Sequence, residues 1–174
     1  MGTTVDPGRR GGFTVIEALI VLAILGIVAM LAVDTFRGMG EKYRVEGETK
    51  QLYADLMDAR GRAMQRNRAF FVRFKTSGFG YETYEDSNPA PDGNNVFDSG
   101  SDTPVTDVTS RHAITKALSG GVSNFAFNRN GTATATGHVR FSSAVTADYD
   151  CVGIGTTRLN MGKYNAGTGL CVER

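Results

Sequence analysis

Hydrophobic and polar positions divide the chain into three stretches of different period. Residues 13–33 are apolar on every side of any helix they could form, and Glu17 is the one charged residue among them. At about 1.5 Å per residue this run makes a helix of roughly 30 Å, the thickness of a bilayer core. Residues 41–67 turn one-sided. Leu52, Leu56, Ala59 and Ala63 fall at i, i+4, i+7 and i+11, Met57 and Met64 lie beside them, and charged residues fill the other faces. The spacing predicts an amphipathic continuation of the same helix, its stripe packed on a sheet. Gly47 and Gly61 weaken that helix by up to about 1 kcal/mol each relative to alanine, so packing must compensate.

Beyond Asn67 the period falls toward two. Residues 69–75 (AFFVRFK) and 78–85 (GFGYETYE) read as a hairpin around a Thr-Ser-Gly turn. SNFAFNRNG, GHVRFSS, CVGIGTTRLNM and GLCVE follow, each bounded by Gly or Asn. About six short strands after one long helix describe an α+β fold. The expected organisation is a leader over residues 1–12, an apolar helix over 13–34, an amphipathic stalk over 35–67 and a β-rich head over 68–174.

The apolar run carries the chemistry. Arg9 and Arg10 precede it, and their retention inside places the rest of the chain outside the cytoplasm. An ordinary signal peptide has a shorter apolar core and a small-x-small site after it, for which AMLAV is a weak match. A plain membrane anchor explains the length but not the glutamate. A buried core helix is seldom apolar on all sides for so long. An intramembrane carboxylate costs roughly 2.5 to 3.5 kcal/mol even on lenient scales, so it needs a partner or a task. No basic residue within the run can pair with Glu17. A cut after Gly12 would create one: the α-amino group of Phe13, a cation with a reference pKa of about 7.7 to 8.0.

The stretch GGFTVIEALIVLAILGIVAMLAV resembles the prepilin signature of type IV pilins and type II secretion pseudopilins, matching over about 25 residues. The resemblance implies cleavage between Gly12 and Phe13 by a prepilin peptidase, N-methylation of Phe13, and an assembly role for Glu17 against the amino terminus of an adjacent subunit. Many relatives carry a kinking proline near the end of the apolar run, where this chain has Asp34; Gly38 and Gly40 could soften the same stretch. QLYADLMDARGRAMQRNRAFFVRF is similar to the GspH/FimT branch, whose AR-x-x-A-x-x-x-N pattern falls on Ala59, Arg60, Ala63 and Asn67. That similarity implies a stalk helix against an antiparallel head of two small sheets. Arg60, Arg62, Arg66, Arg68 and Arg73 crowd the same region, as a phosphate patch or as cations at a helix C-terminus and on solvated faces.

Composition changes the picture little. The net charge is +1, and two histidines, His112 and His138, with two cysteines leave little for a transition-metal site. Neither histidine has a nucleophile at a recognisable spacing, so no enzyme is expected. Residues 84–107 hold three of the four prolines and read as an irregular loop. Asp86, Asn88, Asp92, Gly93, Asn94, Asp98 and Asp102 offer calcium-ligand types, but Pro89 and Pro91 interrupt the calcium-loop spacing. Calcium and a solvated loop are the two readings; no other cofactor is implied. In an oxidising exterior a Cys151–Cys171 disulfide is the default, with free buried thiols as the alternative.

The expected function is that of a minor pilin or minor pseudopilin. It is held in the bacterial inner membrane by a single pass, head in the periplasm, and then assembled into a type IV pilus or type II secretion pseudopilus, with the tip or initiation complex as one place for it. The partners implied are other pilins or pseudopilins, prepilin peptidase, the inner-membrane assembly platform and, before assembly, the lipid bilayer. The alternative is a minor pilin that binds DNA for uptake. Some FimT-like proteins do so through a Gly-Arg-x-Arg motif, where this chain reads Gly155-Thr156-Thr157-Arg158, with Lys163 and Arg174 as further cations.

Overall fold

In the computed structural model the described residues are 13–174, with the side chains of 31–37 excepted. Gly12 and the leader therefore lie outside the described residues, and so does the side chain of Asp34. The chain divides into two compact units, Met1–Met39 and Gly40–Arg174. One helix, α1, covers Val15–Arg66. In the first unit its large apolar side chains are exposed, from Val15 and Ile16 through Leu22 and Ile27 to Met30. Among the described residues no helix is long and apolar enough to cross a membrane. The apolar sequence continues through 31–33, beyond the described side chains.

In the second unit the expected stripe of Leu52, Leu56, Ala59 and Ala63 is buried and extends back to Val45 and Thr49, each no more than 2% exposed, whereas Met57 and Met64 beside it are exposed. The helix stops at a left-handed residue: Asn67 has φ 54°, and Arg68 N–H donates to Ala63 O at 3.2 Å. This six-to-one closure satisfies a terminal carbonyl and turns the chain into the first strand. Asparagine is among the few residues besides glycine that visit this conformation readily.

Nine strands follow among the described residues: β1 (Phe70–Phe74), β2 (Tyr81–Glu85), β3 (Thr103–Val108), β4 (Ala113–Leu118), β5 (Phe125–Phe127), β6 (Gly137–Ser142), β7 (Cys151–Ile154), β8 (Leu159–Asn165) and β9 (Leu170–Glu173). They form two antiparallel sheets, ordered β3-β2-β1-β5 and β4-β6-β7-β8-β9. Phe70, Val72 and Phe74 of β1 face inward with Tyr81, Phe125 and Phe127. From the other sheet come Val139, Phe141, Val152, Ile154 and Leu159, and all join the helix stripe in one continuous core.

Two strands differ from the pattern expected above. The segment 84–107 is not irregular throughout, because its first two residues belong to β2 and its last five to β3, and β4 has no counterpart among the expected strands. Both are edge strands of their sheets, and most of their residues are exposed or half-buried, so little apolar alternation marks them. The stretch CVGIGTTRLNM holds β7 and the start of β8 rather than one strand.

Polar groups pin the helix to the head. The Tyr81 hydroxyl donates to Asp55 at 2.6 Å; burial, then that carboxylate, pushes its pKa upward. Lys42 pairs with Asp148 at 2.6 Å, and Asp148 N–H donates to Glu46 at 3.0 Å. Buried Glu85 on β2 receives both Arg66 and Arg68 at the helix end. His112, 7% exposed, is held between Glu41 at Nε2 and Glu48 at Nδ1, each 2.7 Å away. Glu48 also accepts Arg111 N–H at 2.7 Å, and Arg44 lies 3.5 Å from Glu41.

Burial pushes the His112 imidazole pKa down, but its hydrogen bonds to Glu41 and Glu48 outweigh that, and the net direction is upward. A raised folded pKa means that the stability is fully present below the unfolded value, about 6.5, and is lost as pH rises through the folded value. His112→Gln should therefore destabilise most near about pH 6 and less near about pH 9. Thermal melts of the full chain in detergent across that range check this, and an equal loss at both ends would contradict it.

A disulfide joins Cys151 on β7 to Cys171 on β9. It crosses over β8, where a Cβ on Gly162 would lie 2.1 Å from Val172 O. Strand β9 buries little, with Leu170 60% and Val172 50% exposed, so the cross-link rather than apolar burial holds it. Loop-closure entropy for such a spacing is on the order of 3 kcal/mol. Cys171→Ser should reduce stability by about that amount in denaturant melts. A matching loss in the wild type on reduction is expected, and no change in either would contradict the assignment.

Candidate functional site

The residues expected to carry assembly sit at the first turn of α1. Phe13 is 81% exposed. Thr14 Oγ1 accepts the Glu17 N–H at 3.3 Å, so Thr14 caps the helix and Glu17 occupies its third position. Thr-x-x-Glu, over residues 14–17, is the sequence signature of a capping box. A carboxylate in the first turn is also favoured by the helix dipole. The arrangement gives Glu17 a local setting in this helix besides any partner it meets later. The bond between Gly12 and Phe13 lies outside the described residues.

The oxygen-rich loop is organised around its own backbone. Asp86 is fully buried, and its two oxygens accept Asn94 N–H at 3.1 Å and Asn95 N–H at 2.6 Å. Gly93 has φ 76°, and a Cβ there would lie 2.2 Å from the Asp86 carboxyl, so only glycine fits. Asp102, also buried, accepts Ser87 N–H at 3.2 Å and Asp98 N–H at 2.8 Å. The Asn94 amide donates to Asp98 at 2.8 Å, while Asn88 and Asp92 are exposed. Thus the candidate calcium residues divide into two inward caps and a set on the surface. Among the described residues no three histidine, cysteine or acidic side chains gather as a metal site would require. What the caps do is fix the loop so that Phe97 packs edge-on against Phe71 and Tyr84, at 5.7 and 5.0 Å between ring centroids.

The cations proposed for DNA are only partly brought together. Lys163 and Arg174 line the same shallow cleft with Tyr164 and Val172. Arg158 instead pairs with Glu173, and Arg174 also reaches Asp148 at 3.7 Å. The arginines at the end of α1 are engaged as well. Arg60 Nε donates to Gly131 O at 2.8 Å, Arg62 pairs with Asp58 at 2.7 Å, and Arg66 and Arg68 hold Glu85.

The two histidines serve different neighbourhoods. His112 is the clamp described above. His138 is buried beside the Tyr164 ring at 5.3 Å, its pKa lowered first by burial and then by Arg140. Among the described residues neither imidazole bonds a serine, threonine or cysteine side chain.

Comparison with known proteins fits both halves of this geometry. The pattern described as the prokaryotic N-terminal methylation motif matches residues 8–33, which include Gly12, Phe13 and Glu17. The family described as type II transport protein GspH matches residues 48–157, more than half of the chain, from the stalk helix through β7. The hairpin of β8 and β9, with Cys171, lies beyond that match. No curated protein and no solved structure matches the chain. Together the two matches support a minor pilin or pseudopilin of the kind that prepilin peptidase processes. With a stalk helix set against two antiparallel sheets and the matching sequence running across most of both, the chain belongs to the GspH family of pilin-like structural proteins.

Proposed function

We propose that the protein is a minor subunit of a secretion pseudopilus, anchored in the inner membrane with its head in the periplasm until it is assembled. The observation that carries this reading is the order of parts in one chain. A methylation motif with a carboxylate five residues past the cleavage glycine is followed by a GspH-type head. The description of the family as a type II transport protein favours a secretion pseudopilus over a type IV pilus. In this reading prepilin peptidase removes residues 1–12 and methylates the new amine of Phe13. Glu17 then neutralises the Phe13 ammonium of a neighbouring subunit inside an apolar filament core, where leaving either charge alone would be costly. Ala18, Ala23, Gly26 and Ala29 provide small surfaces for close approach of neighbouring helices. Placement at the tip or in an initiation complex is part of the same proposal.

The alternative, a head that grips DNA, rests on the cleft shared by Lys163 and Arg174. It is the weaker reading because Arg158 and Arg174 already have carboxylate partners. Phosphate-driven binding falls steeply with salt, so a gel shift at two salt concentrations separates the two readings.

Glu17→Ala should still be cleaved after Gly12, seen as a mass shift to a chain beginning at N-methylated Phe13. Its recovery in filaments pulled down with the major subunit should fall by about tenfold, on the scale of about 1.4 kcal/mol for one lost charged contact. Normal incorporation of the variant would remove Glu17 from the mechanism. Failure of cleavage in the wild type would remove the pilin reading itself.

A further inference from the structure

A cleft of about 230 Å³ opens on the outer face of the first sheet, between β1, β5 and the loop that carries Phe97. Its floor is apolar, made by Phe71 and Ala126, with Phe97 as one wall. Its one charge is Arg73. That residue pairs in register with Glu82 on β2, yet the Glu82 carboxylate accepts the Tyr84 hydroxyl at 2.9 Å instead. Arg73 turns toward the cleft and lays its guanidinium over Phe97, 4.0 Å from the ring centroid. Among the described residues no carboxylate lies within ion-pair distance of it. Stacking on the ring holds the guanidinium plane in place and leaves its edge N–H groups free to donate.

Two further groups on the rim are fixed by backbone N–H donors. Asn124 Oδ1 accepts Phe74 N–H at 3.0 Å, which leaves its NH₂ as a donor without a protein partner among the described residues. Thr134 Oγ1 accepts Ala126 N–H at 2.9 Å, so its hydroxyl hydrogen remains available. The loop that supplies Phe97 is rigidly capped by Asp86 and Asp102. Asn95, at the mouth, is held at φ 62°, which asparagine adopts readily.

We propose that this cleft binds the C-terminal residue of another protein chain: a free α-carboxylate carrying an apolar side chain. A planar guanidinium and an amide donor beside an apolar floor match a carboxylate and a bulky apolar group borne on one carbon. An aspartate or glutamate side chain ends at its carboxylate and would leave the floor uncovered. The volume of about 230 Å³ has room for one bulky apolar side chain with its carboxylate. The site goes beyond the filament reading, and none of its residues takes part in leader cleavage or in the Glu17 pairing.

The test is fluorescence anisotropy with the full chain in lipid nanodiscs. The probes are a dye-labelled tetrapeptide ending in phenylalanine as the free acid, the same peptide as its C-terminal amide, and an amidated peptide with an internal aspartate. The free acid should bind about tenfold or more tighter than either of the others, the scale of a charge-assisted contact. Arg73→Gln should abolish that difference while leaving the melting temperature unchanged, and Lys75→Gln, which alters a cation outside the cleft, should preserve it. The comparison of acid with amide stands on the wild type alone, whatever the variants do. Equal binding of acid and amide, equal binding of the aspartate peptide, or no response at about 1 mM peptide would each overturn the proposal.

Discussion

The head depends on one seam of the stalk helix, the stripe from Val45 to Ala63 that fills the space between two small sheets. Neither a four-stranded nor a five-stranded sheet of short strands can bury its inner face alone, because each offers only one apolar side and needs a second layer. The helix supplies that layer to both at once. Its seam mixes large and small residues, Leu52 and Leu56 with Ala59 and Ala63, all within the one core. The left-handed Asn67 then directs the chain straight into β1, an interior strand of its sheet. Removing side-chain volume from this seam would loosen both sheets together, since cavities in close-packed cores are only partly relieved by collapse.

Charge is handled differently at the two ends of the chain. Inside the head, Glu85 is enclosed by two arginines, and His112 sits between two glutamates. Asp86 is sealed by backbone N–H groups. Each of these three groups has partners that are fixed at folding, as burial in a low dielectric favours, whereas the buried Arg140 Nε has no hydrogen-bond partner among the described residues. Arg73 differs from those three: it is half-buried, stacked on the Phe97 ring, and has no carboxylate within ion-pair distance among the described residues.

Much of this was legible in the chain because the signals were periodic or chemically specific. The 4-3-4 spacing of Leu52, Leu56, Ala59 and Ala63 announced the buried face directly. The AR-x-x-A-x-x-x-N pattern has a physical meaning that becomes visible only in the fold. Two of its positions are seam alanines, the arginine holds a carbonyl at Gly131, and the asparagine closes the helix. The edge strands β3 and β4 were illegible for the opposite reason, since strands that bury few side chains carry little alternation. The aspartates of residues 86–102 have the composition of a cation loop. Whether a carboxylate faces a backbone N–H or an ion depends on turn geometry that composition does not encode.

Glu17 joins these themes. A carboxylate among apolar residues looks unsupported when only side chains are counted, but the first turn of a helix is itself a partial positive charge with unsatisfied N–H groups. Thr14 satisfies one of these, and Glu17 lies where the remaining dipole favours an anion. The dipole of the first turn, rather than the Thr14 cap, is what favours this carboxylate before any neighbour arrives. Cleavage after Gly12 would add a full positive charge four residues away on the same turn. In the proposed filament a neighbour's ammonium would compete with the subunit's own amine, so geometry, rather than charge alone, would decide the pairing.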